Sequence, residues 1–78
     1  MRTIVLPREV IAARRISRSS LYNDIRAELW TEPVRISARR TGWPLDEVQA
    51  QIDARCKGAS PDELRALVRR LVEARRIA

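Results

Sequence analysis

The sequence predicts a mainly α chain that carries one small β-hairpin. Three observations point there. Apolar residues recur at three- and four-residue spacing over most of the chain. One stretch, Pro33-Val34-Arg35-Ile36-Ser37, instead alternates apolar and polar. Pro7, Pro33, Gly42–Pro44 and Gly58–Pro61 then cut the chain into segments of helix or strand length.

The first helix is expected from Pro7 to about Arg14. Leu6, Val10 and Ala13 fall at i, i+4 and i+7. Pro7 suits a first turn, and Glu9 lies near the positive end of the helix dipole. Only Arg14-Arg15-Ile16 separates it from a second helix, expected from Ser17 to about Leu29. Ser17 is a good N-cap, because its oxygen can accept from backbone N–H groups two or three residues on. Leu21, Tyr22, Ile25 and Leu29 form the apolar stripe; Arg18, Ser19, Asn23 and Arg26 form the opposite face. Two short helices with so brief a link have helix-turn-helix spacing.

The alternating stretch reads as a strand, Ala38-Arg39-Arg40 as a turn, and Thr41-Gly42-Trp43 as the return strand. A third helix opens at Pro44-Leu45-Asp46-Glu47, with Leu45, Val48, Ile52 and Cys56 as its core stripe. Lys57-Gly58 closes it, glycine being the usual left-handed cap. Ser60-Pro61-Asp62-Glu63 is the clearest local signal: Ser at N-cap, Pro at N1 and Glu at N3. The last helix carries Leu64, Leu67, Val68, Leu71, Val72 and Arg75 on one face, and Arg65, Arg69, Arg70, Glu73 and Arg76 on the other. Its stripe must bury against this chain or a second copy.

Composition narrows the function. Seventy-eight residues allow one small domain, and the net charge of +6 comes from 15 Arg and one Lys against 10 acids. Such a balance favours polyanions, nucleic acid first. A single Cys excludes an intramolecular disulfide framework, and without His the common zinc sites and His-dependent catalysis go too. Asp46, Glu47 and Asp53 read as capping and surface acids with no nucleophile–base pair beside them. Met1–Leu6 is too short for a signal peptide, and no apolar run approaches the length of a membrane span. The expectation is a cytoplasmic, nucleoid-associated, non-enzymatic module without metal, cofactor or small-molecule substrate.

Helix, tight turn, helix, Arg-tipped hairpin, helix is the outline of a winged helix-turn-helix. The wording goes further. Ile16-Ser17-Arg18-Ser19-Ser20-Leu21-Tyr22, Ile25, Pro33-Val34-Arg35-Ile36, Arg39-Arg40, Gly42-Trp43 and Asp46-Glu47-Val48, with Arg8-Glu9-Val10 before them, resemble the AlpA family over about residues 6–56. These are prophage-type transcriptional regulators related to the excisionase and MerR winged helix-turn-helix group. The resemblance implies that residues 1–57 form a DNA-binding domain; the tail lies outside it, and its own pattern gives a C-terminal helix, 58–78, that packs on that domain or mediates self-association. This chain departs from the pattern where the family has glycine: Arg15 stands in the turn, and Ala27-Glu28-Leu29 follow the second helix. It has Ser37-Ala38 at the wing tip in place of a Gly-Pro pair, and the acidic Glu32 before Pro33.

Residue chemistry and resemblance together nominate two groups of contacts to double-stranded DNA. On the second helix they are Ser17, Arg18, Ser19, Tyr22, Asn23 and Arg26; on the wing, Arg35, Ser37, Arg39 and Arg40. Arg can fork onto guanine, and Asn onto adenine, in the major groove. Wing arginines suit the backbone or a narrow minor groove. Trp30 and Trp43 are expected in the core, and Cys56 as a small buried hydrophobe. Two other functions fit the same residues. One is an excisionase-type architectural factor for site-specific recombination. The other is a helical interaction module without specific DNA binding, whose Leu64, Leu67, Val68, Leu71 and Val72 hold a partner or a second copy.

Overall fold

The computed structural model describes residues 3–77; Met1, Arg2 and Ala78, at the ends of the two expected units, lie outside the described residues. In chain order the elements are β1 (Ile4–Val5), α1 (Pro7–Arg14), α2 (Arg18–Arg26), β2 (Val34–Arg35), β3 (Thr41–Pro44), α3 (Leu45–Cys56) and α4 (Pro61–Ile77). The strands form one antiparallel sheet in the order β1-β3-β2. The mainly α reading with a small hairpin therefore holds at the level of architecture.

Local chemistry sets the ends of α1 and α2. The Glu9 carboxylate accepts from the Leu6 N–H at 2.8 Å and so covers one orphan donor of the first turn. Ser17 caps α2 as expected, its oxygen accepting from the Ser20 N–H at 3.1 Å. The far end of α2 corrects the sequence reading. The helix stops at Arg26, not near Leu29. Glu28 turns left-handed with φ 62°; its N–H bonds the Ile25 carbonyl, and the Leu29 N–H bonds the Asp24 carbonyl at 2.8 Å. This is a Schellman closure with Glu in the glycine place. Arg15 does the same service between α1 and α2 at φ 54°.

β1 was not foreseen, because two residues are too few to show a period. It pairs Ile4 with Pro44 and Val5 with Trp43, while Val34 and Arg35 of β2 pair with Gly42 and Thr41. β3 is thus the central strand, and the hairpin is fastened to the N-terminal segment. The Leu45 N–H also donates to the Thr3 carbonyl at 2.8 Å.

The core is Val10, Leu21, Trp30, Trp43 and Val48, with Val5, Ile11, Ile16, Ile25 and Ile52 packed around it. Both tryptophans are inside, as expected. The expected stripe of α3 needs correction. Val48 is buried and Ile52 packs on the core, but Leu45 is half-buried and Cys56 is exposed. Two polar residues take the inner positions instead: Glu47 at 2% exposure and Gln51 at 1%. Gln51 Oε1 accepts from the Thr31 N–H, while its amide donates to Thr31 Oγ1 and to the Glu47 carbonyl. Glu47, read as a surface acid, instead meets Arg75 of α4 at 2.6 and 2.8 Å.

That pair helps to dock α4. Leu64 and Val68 are buried, and Leu67, Leu71 and Val72 half-buried, so the stripe covers α3 of its own chain. Arg75 also donates to the Glu32 carbonyl. Arg65, read as part of the outer face, donates to the Ala27 carbonyl at 3.1 Å, capping the negative end of α2. At the start of α4 the Ser60–Glu63 box is formed both ways, at 2.9 and 3.2 Å.

Candidate nucleic-acid interface

One open cleft of about 350 Å³ lies where α1, α2 and the hairpin meet. Arg18 and Tyr22, one turn apart on α2, line one side. Arg39, Arg40 and Thr41 of the hairpin line another, and Arg8 of α1 joins them over Leu6 and Pro7. Four guanidiniums therefore converge, and no acidic residue lines the cleft. Such a concentration of like charge on a wet surface is unfavourable for the isolated chain and suits an anionic partner.

The other sequence-nominated residues divide by position. Ser19 is exposed on the first turn of α2. The Ser17 hydroxyl is engaged locally, accepting from the Ser20 N–H and donating to Ser20 Oγ, so it acts as a cap. Asn23 and Arg26 are exposed on the same helix face and bond each other, Arg26 Nη2 donating to Asn23 Oδ1. Arg26 also borders a different groove, beside Trp30 and Val68. Arg35 is exposed on β2 opposite Thr41 and does not line the cleft. Ser37 closes the hairpin loop: its N–H donates to the Arg40 carbonyl, and its own carbonyl accepts from the Arg40 N–H. The loop thereby sets the backbone from which Arg39 and Arg40 project. Arg8 lines the cleft but was not among the nominated contacts; its sequence signals were a cation one residue after the helix-opening proline and its place in the Arg8-Glu9-Val10 stretch.

A second cluster, behind α2, fixes how that helix is presented. Asp24 of α2 accepts from Arg14 of α1 at 2.7 Å and lies 3.8 Å from Arg55 of α3. Both guanidiniums lie over the Trp30 ring, at 4.6 and 5.1 Å from its centre. Arg55 also donates to the Leu29 carbonyl at 2.6 Å. Burial first, then repulsion from Arg14, lowers the Arg55 pKa below its ordinary value, and Asp24 opposes the shift. Three helices and the segment after α2 are thus tied at one ring. Trp43 adds a further tie, its indole N–H donating to the Thr31 carbonyl at 2.8 Å.

Among the described residues, no group of three or more His, Cys, Asp or Glu could hold a metal ion, and no helix is long and apolar enough to cross a membrane. No family model, curated protein or solved structure matches the chain.

Proposed function

We propose that this chain binds double-stranded DNA as a winged helix-turn-helix module, with α2 entering the major groove and the β2–β3 hairpin as the wing. The observation that carries the reading is the acid-free cleft in which Arg18 and Tyr22 of α2 face Arg39 and Arg40 of the hairpin. A DNA backbone running between helix and wing meets guanidiniums from both sides. Arg8 extends the same contact toward α1. The AlpA resemblance adds the role: transcriptional regulation in a prophage or other mobile element.

The roles of individual residues follow from their chemistry. Arg18 can fork onto guanine O6 and N7. Asn23 and Arg26 bond each other, Arg26 Nη2 donating to Asn23 Oδ1, which leaves the Asn23 amide N–H groups and one oxygen lone pair for a base edge. Asn23 can fork onto adenine N6 and N7, and Arg26 onto guanine or phosphate oxygens. Arg39 and Arg40 suit phosphate.

Binding to selected and random duplexes across a salt series tests this. Arg39→Ala is expected to weaken binding to all duplexes and lower the salt slope by about one ion. Arg18→Ala is expected to cost on the order of 1–3 kcal/mol on the selected site alone. A chain that binds no duplex near physiological salt overturns the reading.

A second reading, self-association or partner binding through α4, draws on the half-buried Leu67, Leu71 and Val72 and on the groove beside Val68 and Trp30. A solution mass that stays monomeric at high concentration, with and without duplex, removes the self-association form of it.

A further inference from the structure

The cluster behind α2 carries more positive charge than its one acid balances. Arg14 and Arg55 bring two cations, and Asp24 one anion. Arg14 is nine-tenths buried, and Arg55 is 22% exposed. Each guanidinium uses Nη2: Arg14 on Asp24, Arg55 on the Leu29 carbonyl. Each leaves Nη1 buried without any acceptor. Buried donors of this strength are rarely left unmade. An anion placed against both Nη1 groups would meet two strong donors and the cluster's excess positive charge together.

Arg14 and Arg55 border a cavity of about 310 Å³ between α1 and α3, whose other walls are Ala13, Ile16, Ile52 and Cys56. No acid lines it. One oxygen of Asp24 lies 2.7 Å from Arg14 Nη2 and 3.8 Å from Arg55 Nη2, so the two guanidiniums are close enough for one small anion to lie near both. Both guanidiniums also lie over the Trp30 ring. The Trp30 indole N–H is a third buried donor without a partner, and the proposal does not use it.

We propose that a small inorganic anion of halide size, chloride in ordinary salt, binds between the Arg14 and Arg55 guanidiniums behind α2 and completes the support of that helix. It enters from the α1–α3 cavity by a small outward swing of Arg55, the more exposed partner. Its binding stabilises the fold by mass action.

The test uses the full chain, with chloride exchanged for gluconate at constant ionic strength. The thermal midpoint is expected to rise and saturate with chloride. Iodide is expected to quench tryptophan emission with a saturable component that neutral acrylamide does not reproduce. Asp24→Asn removes the competing carboxylate charge and is expected to lower the half-saturating chloride concentration by roughly tenfold or more. Equal midpoints in chloride and gluconate, together with linear iodide quenching, overturn the proposal. So does a saturable response that persists unchanged in Arg55→Met. If that variant does not fold, an unchanged half-saturation in Asp24→Asn overturns it. None of these measurements involves DNA, so their outcome is independent of the function proposed above.

Discussion

Arg15 and Glu28 hold left-handed backbone without being glycine, at φ 54° and 62°. Arg15 closes α1 and Glu28 closes α2, and for an L-residue with a side chain that geometry costs about 1–2 kcal/mol. Glycine removes the clash but makes the unfolded chain freer by about 0.5–1 kcal/mol. Arg15→Gly and Glu28→Gly are therefore each expected to stabilise by on the order of 0.5–1 kcal/mol. The urea midpoint should rise at constant slope; a fall contradicts the cap assignment. Neither position was legible in the sequence as a cap. Ser17 and Ser60 were, because a side-chain cap is a local chemical event with a local signature. A closure made by backbone alone shows itself in sequence only through glycine, which this chain omits. Glu47 and Gln51 were hidden for another reason: their partners, Arg75 and Thr31, lie 28 and 20 residues away.

At the scale of elements, α4 begins with a box whose acid is tuned. The Ser60 backbone N–H, then the Ser60 hydroxyl, hold the Glu63 carboxyl below its ordinary value. A folded pKa below the unfolded one contributes stability above the unfolded value, lost as pH falls through the folded value. Acid titration of the wild-type chain should show this loss, and Glu63→Gln should flatten that part of the profile; an unchanged profile contradicts it. Helices α1 and α4 were legible almost to the residue, since proline and capping residues mark their starts. Strand β1 was not, because its identity comes from the β3 backbone it meets and not from its own two residues. The α2–hairpin part of the cleft was legible as exposed, basic and adjacent in sequence order. Arg8 joined it only through the packing of α1 against the hairpin's central strand.

Over the whole molecule, the tail arginines separate into two kinds. Arg65 and Arg75 are fasteners, to Ala27 and to Glu47 and Glu32, whereas Arg69, Arg70 and Arg76 are exposed. Charge that looked like surplus for a polyanion is in part internal structure. The consequence is that α4 is not detachable. A chain ended at Gly58 loses the cover of Leu64 and Val68 and the cation that faces the buried Glu47. Removing one partner of a buried pair alone costs about 3–5 kcal/mol, a large share of the stability of so small a domain. The shortened chain is expected to lose its cooperative thermal transition by circular dichroism. A sharp, wild-type-like transition would show that α4 is an accessory.

Gly42 has a consequence for any map of mutational tolerance. A Cβ built there would sit 2.7 Å from Ile4 Cγ2, 2.8 Å from the Val5 carbonyl oxygen and 2.9 Å from Ile36 Cδ1. The two isoleucine ends can swing aside, but the Val5 oxygen is backbone, so even alanine must push β1 off β3. Under the proposed function, a saturation screen scored by DNA retention ranks Gly42 with the arginines two and three residues before it. Its failure would be of another kind: the wing would come loose from the N-terminal strand, and the variant would lose folded protein and binding together. On the same proposal, Arg39 and Arg40 variants would stay folded and show weakened binding alone. Scoring abundance beside retention separates a hinge pin from a contact.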